Sequence, residues 1–107
     1  MNMSATRLSQ LLEFYRDDPD DPFNVYALAI EYQKSDAVKA KEFFDILITH
    51  HEHYIPTYYH AAKLYQDLGE KDYAIGLYEK GIAEAKEKND LKALRELQSA
   101  YQELLFD

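Results

Sequence analysis

His50, His51, His53 and His60 are all the histidines of the chain, and they crowd into the stretch THHEHYIPTYYH, Thr49 to His60. Imidazoles this close could share a metal ion or pass a proton. In a helical register His50 and His53 share a face and His51 turns away. A catalytic zinc needs three convergent ligands, an open position and outer partners that orient them. The paired histidine–glutamate helix motif of metallohydrolases is absent. A pH switch is the second option, because clustered imidazoles repel one another once charged. The third is a solvated turn between helices, where polar residues are the default and each proton changes little. A solvated turn is expected, with neither metal nor cofactor.

Other chemistry is equally sparse. A hydrolase needs a nucleophile, a base and an oxyanion site held together. Ser4, Ser9, Ser35 and Ser99 fall at helix caps or on helix surfaces, and there is neither a cysteine nor a glycine-rich phosphate loop. Carboxylates are many but spread along helix faces, as in EKGIAEAKEKND, where Glu84 and Lys88 have the spacing of a local charge pair. No pair of carboxylates stands out for glycoside chemistry. An enzyme is not expected.

The totals narrow the field further. The chain has 107 residues, the size of one ordinary domain, and is 47% hydrophobic and 30% charged. A net charge of −8 repels a polyphosphate backbone and an anionic membrane, so nucleic acid and membrane are not expected partners. Partners with basic patches are favoured at encounter. The lack of cysteine fits a reducing compartment, and no apolar run approaches the roughly 20 residues of a membrane span. The start, MNMSATRLSQLLEF, lacks a basic segment followed by a long apolar core, so a cytoplasmic protein is expected.

Periodicity predicts six helices and no strands. Residues 4–16 form the first, capped by Ser4, with Leu8, Leu11, Leu12 and Tyr15 on one stripe. DDPDDP stops it, and Asp21-Pro22 restarts a helix that buries Val25, Leu28, Ala29 and Tyr32. Ser35-Asp36 caps a third, presenting Ala40, Phe43, Phe44, Leu47 and Ile48. A fourth begins near Pro56 and buries Tyr58, Ala61, Ala62, Tyr65 and Leu68, with Gly69 as its left-handed stop. The fifth, from about Lys71 to Lys88, turns Tyr73, Ala74, Leu77, Tyr78, Gly81, Ile82 and Ala85 inward. Asn89-Asp90 recaps a last helix that buries Leu94, Leu97, Tyr101, Leu104 and Leu105. Short connections make neighbouring helices antiparallel hairpins.

Within this pattern the spacing Tyr58-x-x-Ala61-Ala62-x-x-Tyr65, then Gly69, Ala74, Tyr78 and Gly81, closely resembles the tetratricopeptide repeat (TPR). The alanines admit close helix approach, and the tyrosines fill the gaps beside them. Gly81, mid-helix, costs about 1 kcal/mol against alanine, which close packing of the next helix would explain. Gly76 carries the same cost without such an explanation. A weaker copy reads Val25-x-x-Leu28-Ala29-x-x-Tyr32, then Ala40, Phe44 and Leu47, with a shorter turn and no glycine. Leu94-x-x-Leu97-Gln98-x-x-Tyr101 resembles a terminal cap. The organisation is then one domain over 1–107: an N-terminal helix (4–16), a degenerate repeat (21–54), a strong repeat (55–88) and a capping helix (90–106). The resemblance implies an all-α fold, with helical hairpins stacked as a short right-handed superhelix.

It also implies a protein-interaction module that holds a peptide or partner helix in a concave groove. Carried over by position, the groove residues are Phe23, Tyr26, Ile30 and Lys34, then Tyr59, His60, Lys63 and Gln66, then Lys92, Arg95 and Ser99. Tyr26 and Tyr59 flank the core tyrosines, and tyrosine is a favoured binding hot spot. The alternative is that terminal helices pack over them. Some family members clamp a C-terminal carboxylate with lysine, asparagine and arginine. Here the asparagine sites read Ala27 and His60, the arginine site reads Glu96, and only Lys92 matches. Two repeats fall below the three or so that a solenoid needs, so a homodimer, with groove or end helix covered by a second copy, is the competing reading. The apolar last turn LLF points the same way.

Overall fold

The computed structural model describes residues 3–107, with side chains from Thr6 onward. They form six helices: α1 (Met3–Asp17), α2 (Pro22–Gln33), α3 (Ala37–His50), α4 (Pro56–Asp67), α5 (Lys71–Glu87) and α6 (Leu91–Leu105). Among the described residues there is no strand. The helix of α1 already includes Met3, so Ser4 lies inside it and does not precede it; the Ser4 side chain lies outside the described ones. By contacts the chain divides into two compact units, Met1–Tyr54 and Ile55–Asp107.

In the first unit, local chemistry sets the helix starts. The Asp21 carboxylate accepts from the Phe23 amide at 2.9 Å, with Pro22 pre-set as the first helical residue. Asp36 does the same for α3, accepting from the Lys39 amide at 3.1 Å. The Asn24 side chain donates to the carbonyls of Phe14 (3.2 Å) and Asp18 (3.1 Å), which satisfies acceptors left over at the end of α1. Val25, Leu28, Ala29, Ala40, Phe44 and Leu47 form the core between α2 and α3. Leu8, Leu11, Leu12 and Tyr15 of α1 are half-buried. Tyr15 meets Phe43 edge-on at 5.5 Å, and Phe43 stacks on Tyr32 at 5.7 Å.

One feature of this unit escaped the sequence pattern. Glu31, on α2, is only 6% exposed. Its carboxylate sits 3.2 Å from Arg7 Nε of α1 and 3.0 Å from Lys34 Nζ. A carboxylate is buried at acceptable cost only with such partners. Lys34 is thereby engaged within the unit, although it occupies one of the groove positions implied above.

The second unit packs α4, α5 and α6 around Tyr58, Ala61, Ala62, Leu64, Tyr65, Ala74, Leu77, Tyr78, Ala85, Leu97 and Leu104. Gly69 takes φ +81°, and the amides of Gly69 and Glu70 return to the carbonyls of Gln66 (3.0 Å) and Tyr65 (2.9 Å). Asn89 (φ 58°) ends α5 by the same device, with Asp90 then capping α6 at 3.1 Å from the Ala93 amide. At Gly81 a Cβ would lie 2.6 Å from Tyr58 Cβ and 3.2 Å from Leu97 Cδ1. The missing side chain is what lets α4 and α6 close on α5. A Cβ at Gly76 would meet nothing within 4 Å, and nothing in the structure explains that glycine.

Four side chains depart from the burial that the sequence predicts. Leu68, at the very end of α4, is 45% exposed, because the chain turns away at Gly69. Tyr73 lays its ring against Tyr65, centroids 4.4 Å apart, but stays 43% exposed at the start of α5. Leu105 is exposed, since neither α4 nor α5 covers that side of the α6 terminus. Glu84 faces inward at 9% exposure, so it does not belong to a solvated face.

Tyr78 is fully buried, and its hydroxyl has no hydrogen-bond partner among the described residues. Burial, helped by the neighbouring Tyr59, Glu103 and Asp67, pushes its phenol up to about 12. An unsatisfied buried hydroxyl costs about 1–3 kcal/mol. Tyr78→Phe is therefore expected to raise the thermal midpoint, by about 1 kcal/mol of stability, in a calorimetric melt. A clear fall would show that the hydroxyl is satisfied.

Candidate functional site

The site is set by how α4 spends its faces. Thr57, Tyr58, Ala61, Ala62, Leu64 and Tyr65 are buried, which leaves Tyr59, His60, Lys63 and Gln66 half-exposed on the other side. Pro56 opens the helix as its first residue, with Ile55 ahead of it in helical geometry. Tyr59 and Lys63 are one turn apart, and the Lys63 ammonium lies 5.7 Å from the centroid of the Tyr59 ring. The His60 ring meets Tyr59 edge-on at 5.4 Å. Tyr59, His60 and Lys63 are thus one contiguous cluster, with Gln66 a turn further on. Lys92, Arg95 and Ser99 are exposed on α6, which packs against α4 and α5.

Burial lowers the His60 pKa from its ordinary value, and the Glu96 carboxylate opposes that shift. A folded-state pKa below the unfolded one means the unfolded chain takes up the proton first. Stability carried by neutral His60 is therefore complete above about pH 6.5 and is lost as pH falls below it. Melting followed from pH 7.5 to 5 should show a downward slope that His60→Gln reduces. An unchanged slope would mean that other groups carry it.

In the first unit, Phe23 is largely exposed and Ile30 half-buried. Tyr26 packs on Tyr54, centroids 5.7 Å apart. Burial raises both phenol pKa values, and Tyr54 is raised further by Tyr26 and Asp21. Tyr54 went unremarked in the sequence, because its position after the histidines reads as turn. The signal that could have found it is an aromatic at the end of a hairpin whose first helix begins with a half-exposed tyrosine.

Three of the histidines fall at the end of α3 and in the turn after it, and His60 lies on α4. His50 is the last residue of α3, and His51 is its C-cap, donating its amide to Leu47 at 2.8 Å. His50 and His53 are exposed, and His53 Nε2 lies 3.6 Å from Glu52 Oε1. With Pro22, Thr49 and Tyr54 these residues line a shallow open depression. Among the described residues no group of three or more metal-ligating side chains is gathered. No helix among them is long and apolar enough to cross a membrane.

No sequence-family model matches this chain. No curated protein matches it either. Solved structures do. A solution NMR structure of a tetratricopeptide repeat domain protein from Salinibacter ruber is 44% identical, over 81% of this chain and 89% of that one, with a TM-score of 0.76. A crystal structure of a tetratricopeptide repeat domain protein from Salinibacter ruber is 42% identical over 78% of this chain and 96% of that one, again with a TM-score of 0.76. Identity at this level, over most of both chains, agrees with the six-helix architecture and with the Tyr58–Gly81 spacing. The chain belongs to the tetratricopeptide repeat family.

Proposed function

We propose that this chain is a binding module whose partner is a segment of another protein, held on the α4 face by Tyr59, His60, Lys63 and Gln66 and flanked by Lys92 and Arg95 of α6. The observation that carries the reading is Tyr59. It is half-exposed on a helix whose apolar stripe is already fully used, and Lys63 is poised over its ring. An aromatic with a polar tip buries large area at little entropic cost, and the adjacent cation adds a contact for a carboxylate. The segment that fits best presents an apolar or aromatic anchor to Tyr59 and an acidic group to Lys63. Phe23, Tyr26 and Ile30 form a second, more apolar surface in the first unit. The module acts by binding, without a catalytic step. The −8 charge and the lack of cysteine support a cytoplasmic setting, with neither nucleic acid nor membrane as partner.

The test is selection from a displayed library of random peptides. Peptides enriched on the wild-type protein should be lost on a Tyr59→Ala/Lys63→Glu variant that melts normally. Equal enrichment on both would overturn the assignment of this face.

A further inference from the structure

Tyr78 carries a polar atom that the core of the second unit does not use. Its side chain is fully buried, and its hydroxyl has no partner among the described residues. A buried polar atom left unpaired in a folded protein calls for a reason. The groups that act on this hydroxyl come from the helices beside α5: Tyr59 and Asp67 of α4, and Glu103 of α6. It therefore lies beneath the seam of α4 and α6, on the side that carries Tyr59.

The two carboxylates occupy matching places. Helices α4 and α6 each run antiparallel to α5 and pack on one another, so they are parallel and end on the same side. Asp67 is the last residue of α4, two positions after Tyr65, and Glu103 stands two positions after Tyr101 in the last turn of α6. Both are exposed, and among the described residues no lysine or arginine pairs with either. Neither last turn holds a basic residue. A helix C-terminus is the negative end of the helix dipole and disfavours a carboxylate unless a cation is near. Two uncompensated carboxylates, two negative helix ends and an unpaired buried oxygen thus share one end of the groove.

We propose that this end of the α4–α6 groove holds a lysine or arginine side chain of the bound segment, its cationic head lying between Asp67 and Glu103 and donating to the Tyr78 hydroxyl beneath them. The inference rests on the peptide-binding reading of the α4 face and supplies the second half of the partner's chemistry. An ammonium or guanidinium only donates, the carboxylates only accept, and the phenol oxygen has a lone pair to offer. Among the described residues no third metal-ligating side chain joins the two carboxylates, so the site suits a side-chain cation better than a metal ion. When Tyr59 turns to its partner, its ring opens the way to the hydroxyl. The groove is then charged in opposite senses along its length, with Lys63, Lys92 and Arg95 before the acidic end, and that polarity orients the segment. Tyr59 and Asp67 are eight residues apart, about 12 Å along α4, which an extended chain covers in about four residues. The basic residue therefore falls about four positions from the anchor on Tyr59, with the acidic group for Lys63 between them.

Selection from the displayed peptide library tests this directly. Peptides enriched on the wild-type protein should carry lysine or arginine about four positions from an aromatic or apolar anchor. On an Asp67→Lys/Glu103→Lys variant, both changes being at exposed positions, that preference should turn to aspartate or glutamate. An arginine-containing peptide selected on the wild type should bind this variant about tenfold more weakly, with the difference shrinking at high salt. Tyr78→Phe should weaken the same peptide about threefold while the free protein melts higher, a combination that a purely structural role of the hydroxyl does not give. Enrichment without a basic residue, or equal affinity for the wild type and the double reversal, would overturn the inference while the role of Tyr59 stood. Equal affinity in Tyr78→Phe would overturn the part given to the hydroxyl. The reading beneath it fails by a different result, enrichment that is indifferent to Tyr59→Ala/Lys63→Glu.

Discussion

Gly81→Ala is expected to destabilise the protein by about 2 kcal/mol, although alanine is the better helix former by about 1 kcal/mol. The clash decides the sign. The added methyl would lie 2.6 Å from Tyr58 Cβ, an atom fixed to the α4 backbone that no rotamer change can move. Relief requires α4 and α5 to separate, and that opens the packing around Tyr58, Tyr78 and Leu97. Gly76→Ala is the control in the same helix. Its methyl would meet nothing within 4 Å, so only the propensity term remains and the protein gains about 0.5–1 kcal/mol. Thermal melts of the two variants should therefore move in opposite directions. A Gly81→Ala protein as stable as the wild type would mean that α4 and α5 are not in close contact.

The second large effect concerns binding. For a peptide selected on the wild-type protein, Tyr59→Ala should weaken affinity by at least about tenfold, a loss typical of a central aromatic anchor. Lys63→Glu should weaken an acidic peptide as much and should do so less at high salt, because the charge interaction is screened. Tyr58→Ala is not a test of binding, since Tyr58 is fully buried and its loss would unfold the unit. Gln66→Ala, at the edge of the face, should change affinity little. Fluorescence anisotropy with a labelled peptide measures all of these. Equal affinity for the wild type and Tyr59→Ala would remove Tyr59 from the site.

Much of this was legible in the sequence, because the signals are local. Asp21-Pro22, Asp36, Gly69 and Asp90 mark helix ends through bonds to residues two to five positions away. The Tyr58-Ala61-Ala62-Tyr65 spacing encodes close helix packing, and the buried positions follow it. What the pattern misread depends on which helix lies across which. Glu31 reads as a surface carboxylate until Arg7 on α1 is brought over it. Glu84 is covered in the packed unit, although its own helix segment is rich in charge. Leu105 continues an apolar period, but α4 and α5 do not extend to cover it. A helical wheel shows the stripe and does not show whether anything covers it.

The candidate positions follow from the repeat resemblance, which carries Tyr59, His60 and Lys63 over as groove residues. Their side chains lie next to one another in the structure. Lys34 comes from the same implied set but is engaged by the buried Glu31. Tyr26 is implied likewise, and its contact with Tyr54 depends on how the turn after α3 folds back. The offset of a residue from the core stripe identifies positions that could face a partner. Only neighbouring side chains decide which of them are already engaged.

The most direct test of the central claim is amide chemical-shift mapping of a selected peptide onto isotopically labelled protein. The account predicts saturable shifts centred on Tyr59, His60, Lys63 and Gln66, extending to Lys92 and Arg95. Shifts confined to the turn around residues 50–54 or to Leu91 and Leu105 of α6, with the α4 face unchanged, would contradict it.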